Sequence, residues 1–378
     1  MLLYIHIPYC RQKCRYCDFA SYAGQESTMS QYVEALLREA DAYRDMIGKI
    51  DTVFIGGGTP SILPADLLDK LLGGLHERLV IPAGVEFTTE ANPGTLTEAW
   101  LDAAISNGVN RVSMGMQAAQ PNLLERLGRI HTMDDVVSSM QLLRKHGIVN
   151  TNLDLMFGLP GQTLSMWLET LDAALSLSPE HLSCYGLIPE DGTPLKRDID
   201  AGRLNLPDED VEREMYDRTL HTLASHGYCQ YEISNFAKPG FECRHNVGYW
   251  QQVPYVGLGV FAASMLPHGN GELRTTNPSG IRQYLQMVHE RNWEIRTQEV
   301  ISPADARFET LMLGLRMTEG VSEAEFAQRH GIALSSYRGK KLKWLAGHGL
   351  LVNSEGRWRL TREGMDVQNS VLVELMDE

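Results

Sequence analysis

No apolar stretch in this 378-residue chain approaches the roughly 20 residues a membrane-spanning helix needs, so the sequence predicts no membrane span and leaves only peripheral membrane contact open. The chain opens MLLYIHIP, without a basic leader segment or signal-like apolar run. That start predicts a cytoplasmic, reducing location and disfavours disulfides between its six cysteines. Positive charge is also short: 34 Lys and Arg against 48 Asp and Glu give a formal net charge of −14. General nucleic-acid binding needs a basic surface, so no nucleic-acid partner is expected. Phosphate-binding signatures are missing too. The glycine-rich string Gly56-Gly57-Gly58-Thr59-Pro60 is neither G-x-G-x-x-G nor a P-loop. What remains is ordinary globular composition, 43% hydrophobic and 22% charged, with length enough for two or three domains.

The strongest positive signal is the string IHIPYCRQKCRYCDF, with Cys10, Cys14 and Cys17 in C-x3-C-x2-C spacing. Zinc sites usually pair C-x2-C units with a second pair or histidines, whereas Cys184, Cys229 and Cys243 are scattered. The spacing favours an iron-sulfur cluster over zinc, a disulfide or buried small hydrophobes. A 4Fe-4S cluster usually takes four cysteines. Three would leave one iron open to an exogenous chelating ligand.

Short β-branched and apolar runs at 2–8, 52–55, 85–89, 111–116, 152–156 and 181–185 alternate with helical patterns such as 29–46 and 63–79. This is the rhythm of a parallel α/β sheet, and six such units predict a partial (β/α)6 barrel. Sites in such folds gather at the carboxyl ends of strands. There lie the cysteine loop, the GGGTP turn, Glu90-Ala91-Asn92-Pro93-Gly94, Gln117 and Asp154. These polar residues can cap the following helices. Their repetition points instead to a ligand, with carboxylates for ribose hydroxyls or an α-ammonium group and Arg129 for a carboxylate. An amino-acid nucleoside suits that set.

CRQKCRYC, GGGTP, Glu90, Gln117 and NLDLMFGLPGQT together resemble the radical S-adenosylmethionine enzymes, in the branch related to anaerobic coproporphyrinogen III dehydrogenase. In that superfamily the open iron chelates S-adenosylmethionine, which the reduced cluster cleaves to methionine and a 5′-deoxyadenosyl radical. The resemblance implies that Cys10, Cys14 and Cys17 hold the cluster and that Gly57, Gly58 and Thr59 lie against the methionine moiety. It further assigns Tyr4, Tyr16, Glu90, Gln117, Arg129, Asp154, Gly186 and Ala263 to the cofactor.

Within the branch, three features resemble the HemW haem chaperones rather than the dehydrogenase. Cys17 is followed by Asp18 and Phe19 where the dehydrogenase has a further cysteine, and the chain starts directly at the cluster strand. The string Arg244-His245-Asn246-Val247-Gly248-Tyr249-Trp250 carries HNxxYW, which that family associates with haem. A lone histidine near aromatics is more often a core residue; the resemblance implies His245 as haem ligand, with Asn246, Tyr249 and Trp250 beside it. The chain also departs from the family. Phe261 and Ala263 replace a usual glycine and histidine, while Phe157 and Ala118 stand where more polar residues are common, which predicts a drier pocket.

From about residue 301 the pattern becomes a mainly helical module of winged-helix character, with a hairpin around Glu355-Gly356. Its basic cluster Arg338, Lys340, Lys341 and Lys343 reads as a solvated helix face. The expected division is a core barrel at 1–235, an HNxxYW and GLG segment extending it at 236–300, and the helical module at 301–378. The function implied is binding of haem and its transfer to acceptor haemoproteins, with a 4Fe-4S cluster, S-adenosylmethionine and a reducing electron donor. The alternative implied is a radical enzyme that dehydrogenates or C-methylates a porphyrin or another substrate.

Overall fold

The structure is a computed structural model that describes residues 1–269 and 271–376. Six parallel strands form where the patterning places them: β1 (Leu2–Ile7), β2 (Thr52–Gly57), β3 (Glu86–Ala91), β4 (Arg111–Gln117), β5 (Asn150–Phe157) and β6 (His181–Gly186). Six further strands continue the sheet: β7 (Cys229–Glu232), β8 (Asn235–Ala237), β9 (Tyr255–Leu258), β10 (Ala263–His268), β11 (Gly271–Thr276) and β12 (Thr297–Ile301). The order is β12-β11-β10-β9-β1-β2-β3-β4-β5-β6-β8-β7. β9 runs parallel to β1, adding a seventh parallel strand, and antiparallel strands extend both ends.

Period-two alternation gives the sheet two unlike faces. The outward residues are apolar: Leu3, Ile5 and Ile7 on β1, Val112, Met114 and Met116 on β4, Leu153 and Leu155 on β5. They join one core with helix residues such as Tyr32, Leu36, Leu72, Trp100 and Trp167. Each such side chain contributes about 1.5–3 kcal/mol on burial. Helix Met29–Tyr43 shows why it lies there, with Met29, Tyr32, Val33, Leu36, Leu37 and Ala40 at helical spacing on its buried face. The opposite face is polar, with Tyr4, His6, Glu90, Arg111, Ser113, Asn152, Asp154, Ser183 and Tyr185 lining one cavity of about 500 Å³.

Helix Arg244–Trp250 packs at the amino-terminal end of that lumen. The Glu86 carboxylate accepts hydrogen bonds from the Arg244 and His245 amides at 2.8 and 2.9 Å, placing negative charge at the helix start. Gly248 permits a close approach, since a Cβ there would lie 2.8 Å from the Leu2 side chain.

The carboxyl-terminal module has its own core, including Leu311, Phe326, Leu342, Trp358 and Leu375. Its helices surround a small antiparallel sheet of order β13-β15-β14, namely β13 (Val321–Ser322), β14 (Leu351–Ser354) and β15 (Arg357–Leu360). Arg316 ties the module to the barrel by pairing with the fully buried Glu232 and stacking on Trp250. Within the expected basic cluster, Arg338 and Lys341 donate to the carbonyls of Leu375 and Met376. Among the described residues, no helix is long and apolar enough to cross a membrane.

Candidate functional site

The loop after β1 folds back onto the turn after β2. Cys10 N–H donates to the Tyr22 carbonyl at 3.0 Å, while the Gly58 and Thr59 amides donate to the Ile7 and Tyr9 carbonyls at 2.8 and 2.7 Å. Glycine is required at two points of this contact. Gly57 has φ +113, and a Cβ on Gly58 would stand 2.5 Å from the Tyr9 carbonyl oxygen and 3.0 Å from Cys10 Sγ.

Cys10, Cys14 and Cys17 face one cavity of about 140 Å³, with Tyr16, Gly57, Gly58, Thr59, Glu90, Gln117, Arg129 and Asp154 also in its wall. No group of three or more His, Cys, Asp or Glu among the described residues is arranged to hold a single metal ion. Three thiols around a shared cavity fit a larger sulfur-ligated group better than a lone zinc. Burial pushes the Cys10 and Cys17 thiols up.

The polar residues form a connected frame around this cavity. Gly57 N–H donates to Glu90 at 3.1 Å; Asn92 links Thr59 at 2.9 Å to Arg129 at 2.8 Å. Asp154 accepts from Ser113 and Asn152 at 3.2 and 2.8 Å. Burial, reinforced by the Asp154 charge, raises the Glu90 carboxyl to about 8; burial also raises Asp154. Such a pair offers hydrogen-bond acceptors that strengthen when a cation or hydroxyl arrives.

The larger lumen shares Phe19, Gly57, Glu90, Ser113 and Asp154 with the cysteine cavity. His245, Asn246, Tyr249 and Ala263 line it, as does Phe261, which is 56% exposed with φ +57. That left-handed backbone explains why glycine suits the position. His245 is only 1% exposed. Its Nδ1 lies 2.8 Å from Thr52 Oγ1, and its buried Nε2 has no hydrogen-bond partner. Burial, with the Arg111 charge adding to it, lowers its pKa to about 3, so the imidazole is neutral.

Two expected residues stand apart. Trp250 faces away from the lumen, into a second cavity against the carboxyl-terminal module. Gly186 lies outside both linings, at the end of β6 beside Phe157 and Glu212. Phe157 packs outward on Trp167 and Tyr216, and Ala118 sits in a separate apolar cluster, so neither lines or dries the lumen. Arg111, Ser113 and Asn152 were not singled out from the sequence as site residues. Their signal was the alternation itself, polar residues at 111, 113 and 117 on β4 and at 150, 152 and 154 on β5.

This arrangement, cysteine loop, glycine turn and polar strand ends, coincides with matches to known families. Residues 4–174 match the family model described as Radical SAM superfamily, and residues 301–367 match the HemN C-terminal domain. The chain is 39% identical to a Bacillus subtilis protein named heme chaperone HemW, over 99% of both chains. It is 37% identical to the protein of that name in Escherichia coli, covering 98% of this chain and 96% of that one. The chain therefore belongs to the HemW family of the radical SAM superfamily. The solved structure of Escherichia coli coproporphyrinogen III oxidase (HemN) shares its fold, with a TM-score of 0.85, 24% identity, and coverage of 99% of this chain and 89% of that one.

Proposed function

We propose that the protein is a cytoplasmic haem chaperone that binds haem and transfers it to acceptor haemoproteins, with a 4Fe-4S cluster on Cys10, Cys14 and Cys17 and S-adenosylmethionine beside it. The observation that carries this reading is His245. Its neutral imidazole can donate from Nδ1 to Thr52, which leaves the lone pair on the unpartnered Nε2, the arrangement of an axial ligand. Relatives that share the chain's full length bear the heme chaperone name.

Gly57, Gly58 and Thr59 shape the wall on the methionine side, Glu90 and Asp154 accept from ammonium and hydroxyl groups, and Arg129 offers a guanidinium to a carboxylate. When bound, the cluster and S-adenosylmethionine supply one-electron reductive chemistry. The chain's residues position and desolvate that pair. Ala263 and Tyr16 complete the proposed contacts, which leave out Gly186; Asn246, Tyr249 and Trp250 support the haem helix.

The experiment is haem titration of anaerobically reconstituted protein with His245→Ala. A weaker affinity or a moved Soret band is expected; an unchanged spectrum and affinity would remove His245 as ligand.

One observation favours a second reading as a radical enzyme acting on a porphyrin or other substrate. The lumen and cysteine cavity share five wall residues, so a ligand in the lumen lies beside the cofactor site. Sustained 5′-deoxyadenosine formation that depends on a candidate substrate supports the enzyme.

A further inference from the structure

Arg111 opens β4 and points into the lumen. It is 2% exposed, its Nε is buried without a partner, and the described residues offer its guanidinium no hydrogen bond of ordinary geometry. A buried charge is costly unless it is paired and hydrogen-bonded, and arginine is almost never fully buried otherwise. Nearby acids do not serve. The Glu86 oxygens receive the Arg244 and His245 amides and the Cys243 thiol, and Asp154 is engaged by Ser113 and Asn152. Those acids still act through space. Burial alone would lower the arginine's pKa, but Cys243, Glu86, Tyr231 and Asp154 outweigh it, so the guanidinium stays charged.

The surroundings define what it can receive. Tyr4, Phe54, Tyr185, Tyr249 and Tyr255 line the same cavity of about 500 Å³, walls suited to an organic ring rather than a free inorganic anion. Four residue steps of strand separate Arg111 from Gly115, against which the Arg129 guanidinium lies, about 13 Å. Arg129, the cation beside the cysteines, is thus a separate site.

We propose that Arg111 is a carboxylate receptor at the floor of the lumen, binding an acid group carried by an aromatic ligand. Resting on the haem reading above, that group is a haem propionate. A planar guanidinium takes a carboxylate by paired, charge-assisted hydrogen bonds, and no lysine or histidine replaces that geometry here.

The test measures binding of haem and of its dimethyl ester to the reconstituted full-length protein, and of benzoate and benzamide by thermal shift. Native protein should prefer each acid over its neutral partner on the order of 10- to 100-fold. Arg111→Met should erase both preferences. Arg111→Lys, the second variant if the methionine variant fails to fold, should reduce them several-fold. A structural role alone would change stability without changing the preference for acids. Haem binding that fails while the benzoate preference holds and depends on Arg111 would end the haem reading and keep the receptor. Equal binding of acids and neutral partners by native protein, or a preference that survives both substitutions, would overturn the proposal.

Discussion

Glu90→Gln isolates the electrostatics of the lumen. The carboxyl rises from 4.5 to about 8 on folding, first through burial and then through Asp154. A raised folded-state pKa contributes stability that is fully present below pH 4.5 and lost as pH climbs through 8. A shift of this size corresponds to about 5 kcal/mol for a wholly dry group. Glu90 also touches the lumen, which water can enter, so roughly half that figure is expected. Glutamine keeps an acceptor for the Gly57 amide but does not titrate. The constant cost of the amide cancels when the variant is compared with native protein at several pH values. Urea midpoints of cluster-free protein at pH 5, 6, 7 and 8, at constant m-value, should show the variant gaining on native protein by about 2 kcal/mol across this range. Parallel pH profiles, or a variant that loses ground as pH rises, would refute the assignment of Glu90 as a buried, desolvated acid.

Gly58→Ala puts a methyl group 2.5 Å from the Tyr9 carbonyl oxygen. The cysteine loop must then move by roughly 1 Å to restore ordinary contact, at about 1–3 kcal/mol. Iron and sulfide bound per chain after reconstitution should fall well below native; full incorporation would contradict the loop contact. Glu39, fully buried, accepts from the Gly259 amide, Asn277, the Tyr284 hydroxyl and Arg296. Glu39→Ala leaves Arg296 without that partner and should cost about 3–5 kcal/mol, measured as a lowered Tm; a shift of under 1 °C would show that the network is dispensable.

The six central strands were legible because each carries β-branched or apolar residues between helical patterns of the right length. The cysteine loop, glycine turn and strand-end acids were legible for the same reason, being polar interruptions at expected places. β7, β8 and β9 were not, since each has only three or four residues. β9 pairs with β1 across some 250 positions of chain, which local periodicity does not encode. Arg111 was hidden differently. It begins a strand whose polar positions 111, 113 and 117 looked like ordinary alternation, and only the structure shows that this face encloses a lumen instead of meeting bulk solvent. Trp250 was misleading by proximity: within a single short helix, His245 and Trp250 face different cavities because five residues are not a whole number of turns.

The most direct measurement loads anaerobically reconstituted protein with one equivalent of haem, adds an apo-haemoprotein, and follows the Soret band and 5′-deoxyadenosine together. Haem is expected to leave for the acceptor, His245→Ala to weaken loading, and no added substrate to drive deoxyadenosine formation. Haem that binds equally well without His245 and never reaches the acceptor, alongside steady substrate-dependent deoxyadenosine, would contradict a haem-chaperone role.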